Sequence, residues 1–172
     1  MTRVRSKNSV PGDHFMTALR PVLDVRVQTL ILGSFPSRKS LQARAYYANP
    51  QNQFWRLMSE VLQENLISLE TSARYRELLA HHVGLWDVIA ACDRRGSQDR
   101  SIRNPKANDF SSLRNRAPRL LRVAFNGKDA AKAAPEFAAS GYQVMILPSS
   151  SAAHARITFE NKLKEWRKLI AP

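Results

Sequence analysis

The sequence predicts one α/β domain of three layers (αβα), with helices covering both faces of a central, mostly parallel sheet. Three observations carry that expectation. The run Val25 to Leu32 is β-branched and apolar and stops at Gly33, the pattern of a buried strand that ends in a loop. Leu121–Phe125, the alanine-rich segment Ala130–Ala139 and Tyr142–Leu147 read as strand, helix and strand, an arrangement whose crossover implies parallel strands. The chain has 172 residues, 44% hydrophobic and 24% charged, which suits one globular domain and argues against general disorder or a fibrous repeat.

In chain order, residues 1–20 are polar and basic, with Arg3, Arg5, Lys7 and Pro11-Gly12 and no periodic pattern. They read as a loose arm ahead of a single domain spanning 21–172. After the first strand, Ser34 to Pro50 is a loop containing Pro36 and Pro50. It leads into a helix that gathers Phe54, Trp55, Met58, Val61 and Leu62 on one face, with Asn52 as a candidate N-cap. A second helix is expected over Ser72–His81, with Tyr75, Leu78 and Leu79 inward and Gly84 as its stop. Leu85–Ile89 is apolar enough to be buried and fits a strand or a helix. Asp93–Pro105 is charged and glycine-bearing, hence a surface loop, and Asp109 or Ser111 could cap a short helix through Leu113. The last helix, Phe159–Ile170, places Leu163, Trp166 and Ile170 on one face and Lys162, Lys164 and Lys168 elsewhere.

The charge narrows the partner. Twenty-seven Lys and Arg against 14 Asp and Glu give a net charge of +13. Such an excess suits a polyanion, because neutralising phosphates releases condensed counterions and supplies affinity without sequence readout. DNA is the expected partner, and the loop at 93–105 could face it. Cys92 is the only cysteine, so there is no internal disulfide, and the four histidines lack zinc-ligand spacing; no metal or cofactor is expected. No uncharged apolar run approaches the roughly 18 residues of a spanning helix, and residues 1–21 lack the hydrophobic region of a secretory signal. A cytoplasmic, nucleoid-associated monomer is the expectation.

Ligands in open α/β sheets bind at the carboxyl ends of strands, so the loops after the three strands are the place to look. They read Gly33-Ser34-Phe35-Pro36-Ser37, Asn126-Gly127-Lys128 and Pro148-Ser149-Ser150-Ser151-Ala152-Ala153-His154. All are small and polar, able to offer backbone N–H groups and hydroxyls to an anion or a base edge, although ordinary turns share this composition. The stretch Tyr46 to Trp55 adds two tyrosines, amides and a proline before an aromatic helix start, the ingredients of a pocket that stacks a planar ring and bonds its edge.

Four segments, LILGSFPSRKSLQARAYYANPQNQFWRLM, GLWDVIAACDRRGSQDRSIRNPKANDF, VAFNGKDAAK and LPSSSAAHARITFENKL, recur in an order and spacing that resembles the uracil-DNA glycosylase superfamily. The match is closest to its deoxyinosine (hypoxanthine) branch and covers about Val25 to Trp166. The resemblance implies a monofunctional glycosylase that flips a deaminated base from DNA, most readily hypoxanthine, and cuts its N-glycosidic bond to leave an abasic site in base excision repair, without a cofactor. Mismatch-directed uracil or xanthine excision is the alternative, and a DNA-binding homologue without catalysis is another.

Carried over residue by residue, the resemblance makes Asn52 the catalytic amide, orienting water or bonding the departing base. It lines the base pocket with Gly33, Ser34, Phe35, Pro36, Tyr47, Asn49, Asn126 and Ser149. It gives DNA contacts to Ser37, Gly127, Lys128, Ser150, Ser151, Ala153, His154 and Arg156, with Ala153 and His154 at the position of the wedge. Phe35 departs from the mismatch-specific uracil enzymes, which carry a water-positioning Asn there, and this favours hypoxanthine. Ser149 departs where other branches carry His or Asn. Outside the resemblance, Asn52 could equally be only a cap and Tyr47 only a core aromatic. Asn108 and Asp109 could position the pocket or cap a helix. Asp87, polar within an apolar run, is either buried with a partner or a second catalytic carboxylate.

Overall fold

A computed structural model describes residues 14–94, 101–154 and 156–170. In chain order these form β1 (His14–Thr17), β2 (Thr29–Gly33), α1 (Arg38–Ala43), α2 (Phe54–Leu62), α3 (Thr71–Ala80), β3 (Val83–Asp87) and β4 (Ile89–Arg94). There follow β5 (Ile102–Ala107), α4 (Leu113–Arg116), β6 (Arg122–Asn126), α5 (Ala134–Ala139), β7 (Gln143–Leu147) and α6 (Phe159–Trp166), with short 3₁₀ turns between some of them.

The central sheet has the order β3-β2-β6-β7 and every pairing in it is parallel. All five residues of β2 are buried, because helices cover both of its faces and leave no side for polar residues. Successive side chains of a strand point to opposite faces. Ile31 accordingly enters one core with Phe54 and Met58 of α2 and Trp166 of α6, whereas Leu30 and Leu32 enter another with Leu113, Ala130 and Phe137. Two cores, one on each face of a parallel sheet, are the three-layer domain the sequence predicts.

Several element expectations need correction. Residues 14–20 of the expected arm belong to the fold: β1 pairs antiparallel with β4, Ala18 N–H donates to Ala90 O, and Val22 bridges to Leu85. Backbone pairing needs no apolar periodicity, which is why the sequence concealed it; residues 1–13 lie outside the described ones. The ambiguous run at 85–89 is strand, and Gly84 lies inside β3, where a Cβ would come within 2.9 Å of Val22 O. The α3 helix ends earlier, through His82 in the left-handed region.

The expected loop at 93–105 is largely an antiparallel ribbon of β4 and β5 in a second sheet ordered β1-β4-β5; residues 95–100 lie outside the described ones. Charged residues are compatible with such a ribbon because one face stays wet, and Asn104 donates to Asp93 across it. At the C-terminus α6 passes into a 3₁₀ turn at Arg167–Leu169, so the helical phase changes: Leu169 is buried and Ile170 is exposed. Lys162, expected on the polar side, is buried.

Candidate active site

Chain order reverses between β2 and β6: the chain leaves β2 to form β3 on one side and later returns to form β6 on the other. A crevice opens at the carboxyl ends of strands around such a switch point. Here it is a pocket of about 470 Å³. Gly33 to Ser37 form one wall, Tyr46, Tyr47 and Asn52 another, and Asn126, Asp129, Ser149 to Ser151 and Ala153 the rest, with Asp87 from the end of β3. A larger groove of about 1060 Å³, bounded by residues 16–23 and parts of α1 and α3, shares Tyr46 with it but is lined by no carboxylate, histidine or asparagine. The smaller pocket holds the chemistry.

Asn52 is not the N-cap of α2, which is Gln53; it stands one residue earlier, where its Oδ1 accepts the Phe54 N–H at 2.9 Å as an Asx turn does and its side chain lines the pocket. Because that N–H fixes which atom is oxygen, the Nδ2 amide is the donor left for a ligand. Tyr47 stands in the left-handed region with φ 52°, a conformation that the surroundings must hold in place. Its ring stacks on Phe54 at 3.8 Å, and its hydroxyl accepts from Asn126 Nδ2 at 3.1 Å. It is therefore a core aromatic on one side and a pocket wall as well.

Asp87 is 3% exposed and lies directly opposite Gly33 in the β2–β3 register. The glycine is required by this neighbour: a Cβ at residue 33 would lie 2.7 Å from Asp87 Oδ1 and 3.3 Å from the Tyr47 hydroxyl. The Asp87 backbone carbonyl accepts from Asn108 Nδ2, and Val88 N–H and Ile89 N–H donate to the carbonyls of Gly33 and Ser34, so the loop and the carboxylate are held together. Burial, with the nearby Asp87 charge adding to it, pushes the Tyr46 phenol far above its ordinary range and keeps it a donor.

Phe35 lines the pocket and is itself buried, with the buried Arg94 guanidinium 5.5 Å from its ring. Arg94 also donates to Pro36 O, fixing the loop from behind. Ser37 caps α1, its Oγ accepting from Ser40 N–H.

The third loop is braced from two directions. Asn126 Oδ1 accepts from Ser150 N–H at 2.8 Å while its Nδ2 meets Ser150 Oγ at 2.9 Å. Gly127 has φ 94° and a Cβ there would stand 3.0 Å from Ser149 Cβ, so only glycine lets the two loops approach this closely. From the other side, Lys162 Nζ donates to Gln53 Oε1 at 2.9 Å and to Ser151 O at 3.4 Å, Gln53 N–H donates to Ser150 O, and Trp166 Nε1 donates to Pro148 O. Burial pushes the Lys162 ammonium below its ordinary value.

The pocket thus gathers Gly33, Ser34, Phe35, Pro36, Ser37, Tyr47, Asn52, Asn126, Ser149, Ser150, Ser151 and Ala153 from the residues singled out in the sequence. Asn49 does not line it; its side chain accepts from Gln51 N–H and Lys39 Nζ, as a turn residue does. Ser150, expected to meet phosphate, is fully buried and spent on Asn126. Gly127, Lys128 and Arg156 stand outside the lining, Lys128 and Arg156 exposed, and the His154 side chain is outside the described residues. Ser40 and Asp129 join the lining without having been singled out for the site, Tyr46 joins it from the stretch expected to form a pocket, and Asp87 resolves into a buried pocket carboxyl. Its sequence signal was a carboxylate within an apolar run; that of Lys162 was its i, i+4 spacing to Trp166. Among the described residues no group of three or more His, Cys, Asp or Glu is placed to hold a metal, and no helix is long and apolar enough to cross a membrane.

Residues 21–170 match the model of the uracil DNA glycosylase superfamily. A hypoxanthine DNA glycosylase of Methanosarcina acetivorans is 41% identical over 149 residues, 87% of this chain and 94% of that protein. The hypoxanthine DNA glycosylase of Methanosarcina barkeri is 41% identical over 146 residues, 85% and 92% of the two chains. The solution NMR structure of a Methanosarcina acetivorans protein named for uracil DNA glycosylase superposes with a TM-score of 0.82 at 39% identity, covering 90% of this chain and 96% of that one.

Proposed function

Since the chain belongs to the uracil DNA glycosylase superfamily and is a DNA glycosylase, we propose that it releases hypoxanthine from deoxyinosine and leaves an abasic site for excision repair. The observation that carries this reading is the pairing, in one pocket, of a buried carboxylate at Asp87 with an amide donor at Asn52 whose oxygen is already committed. A base inside the duplex is unreachable, so the target is flipped into the pocket, and a mispaired deaminated base is the least costly to extrude. An unprotonated carboxyl oxygen accepts a hydrogen bond. Hypoxanthine presents N1–H to it, whereas the parent adenine presents a lone pair at N1 and is repelled.

In the reaction the C1′–N9 bond breaks, its electron pair goes to the base, a water oxygen bonds C1′, and the water proton passes to the departing base. Asn52 Nδ2 donates to that base as negative charge develops on it, with backbone N–H groups of the Gly33–Ser37 loop adding to the same effect. Phe35 puts hydrocarbon where a water-orienting amide would stand, so excision leans on leaving-group stabilisation. Among the described residues no lysine lines the pocket, which supports plain hydrolysis over Schiff-base strand cleavage. Ser149, Ser151, Ala153 and the exposed Lys128 and Arg156 border the DNA strand, and the charge of +13 supplies non-specific grip. The names of the two curated relatives support hypoxanthine as the base. Uracil is the second reading, because its N3–H satisfies Asp87 equally well.

The test is Asn52→Ala on an oligonucleotide carrying one deoxyinosine. Excision should fall at least about 100-fold, as when a positioned transition-state donor is removed, while DNA binding persists. Wild-type excision by this variant would remove Asn52 from the chemistry.

A further inference from the structure

Among the described residues Lys162 is a large, fully buried cation that reaches both Gln53, next to Asn52, and Ser151 of the serine loop. It is 1% exposed, its ammonium has no carboxylate within salt-bridge distance among the described residues, and its two partners are an amide oxygen and a main-chain carbonyl. Burying an ammonium against neutral oxygens costs stability relative to an apolar residue of the same length. Helix packing alone would be served better by Met or Leu, so the placement calls for another explanation.

The geometry supplies one. Gln53 follows Asn52 directly, and Ser151 O belongs to the serine loop that forms the opposite wall of the pocket. The main-chain bond from Gln53 N–H to Ser150 O already joins the two, but a single bond is a hinge. The Lys162 contacts to Gln53 Oε1 and Ser151 O add a second and a third tie across the same gap, from a helix anchored in the core by Leu163 and Trp166. We propose that Lys162 is a positioning residue for base excision: its buried ammonium locks the Asn52–Gln53 segment to the serine loop, so that the amide donor and the loop bordering the flipped nucleotide keep one fixed separation.

This inference rests on the proposed function in that it takes Asn52 as the group being positioned. It predicts a defect in the chemical step rather than in folding, since displacing a reacting group by about 1 Å can cost 10²-fold. The experiment is single-turnover excision of deoxyinosine at saturating enzyme by Lys162→Met, Gln53→Leu, the double variant and Lys162→Arg, each checked for its folded fraction and its DNA affinity. Lys162→Met should slow excision by about 10- to 100-fold with DNA affinity within about 3-fold of wild type. Gln53→Leu should show a similar defect, and the double variant should be no slower than the worse single, because both substitutions break the same tie. Lys162→Arg, which keeps charge and donors, should recover a substantial part of the rate.

Multiplicative effects in the double variant, or full-rate excision by folded Lys162→Met, would overturn the proposal. Should Lys162→Met fail to fold, Gln53→Leu alone decides: it leaves the lysine and the core intact, and wild-type excision by it would sink the idea. Asn52→Ala run alongside separates the two claims. An active Asn52→Ala with coupled Lys162 and Gln53 defects would retire the catalytic asparagine and the positioning claim as it stands. An inactive Asn52→Ala with multiplicative Lys162 and Gln53 effects would retire the positioning claim only.

Discussion

Gly33→Ala is the smallest change that reaches Asp87, the carboxyl proposed to read the base edge. The added carbon would lie 2.7 Å from Asp87 Oδ1, where ordinary contact begins near 3.4 Å, and 3.3 Å from the Tyr47 hydroxyl. The backbone has little room to yield, because Gly33 and Asp87 are register partners at the carboxyl ends of β2 and β3 and Val88 N–H is bonded to Gly33 O at 2.8 Å. The Asp87 side chain must therefore retreat by about 0.7 Å in a closely packed site, which costs about 1–3 kcal/mol. For a domain of this size that is a fall of roughly 3–10 °C in Tm. A displacement of that size at a group reading the base edge should slow excision by about 10- to 100-fold. Thermal unfolding followed by circular dichroism gives the first number, and single-turnover excision of deoxyinosine at 15 °C below the variant's midpoint gives the second. A Gly33→Ala protein with unchanged Tm and unchanged rate would show that Asp87 does not occupy the position assigned to it.

Asn52→Asp should keep the turn bond at the start of α2, since a carboxylate also accepts the Phe54 N–H, yet lose the Nδ2 donor. Its Tm should stay within about 2 °C of wild type while excision falls at least about 100-fold, and a variant that loses both together would contradict the division of labour between the two atoms. Asp87→Asn replaces one carboxyl oxygen with an NH₂ donor, so discrimination between deoxyinosine and deoxyadenosine opposite thymine should weaken by about 10-fold or more; unaltered discrimination would free Asp87 of that role. Burial lowers the Lys162 pKa in the folded chain below its unfolded value, so between those two values the unfolded chain binds more protons and stability rises with pH. Urea titrations should therefore show wild type gaining on Lys162→Met as pH climbs toward the ordinary lysine range, and a constant difference would mean the ammonium is not desolvated.

The parts of this account that were legible in the sequence are those carried by apolar patterning or by glycine. The buried run ending at Gly33 and the strand–helix–strand unit from Leu121 to Leu147 set the sheet, and the three loops at their ends converge on one pocket because a parallel sheet places all its carboxyl ends at one edge. Asn52, Tyr47 and Asn126 were legible for the same reason, each sitting in or beside such a loop. Partnerships between distant residues were not legible. Lys162 reaches Gln53 across 109 positions; its i, i+4 spacing to Trp166 marks it off from the exposed Lys164, but helical spacing does not name so distant a partner. The β1-β4-β5 sheet hid behind its polarity, since β5 exposes Arg103 to Ala107 and buries no apolar side chain that would mark it as a strand. Asn49 shows the converse error: its amide served a turn, the commonest use of asparagine in a loop.

The most direct test of the central claim is excision itself, measured on matched duplexes carrying one deoxyinosine, deoxyuridine or deoxyxanthosine, with hot alkali to convert abasic sites into strand breaks. Alkali-dependent breaks at deoxyinosine, faster than at deoxyuridine and absent before alkali, are the predicted result. Excision confined to deoxyuridine, or strand breaks that appear without alkali, would contradict a hydrolytic glycosylase that takes hypoxanthine through Asn52 and Asp87.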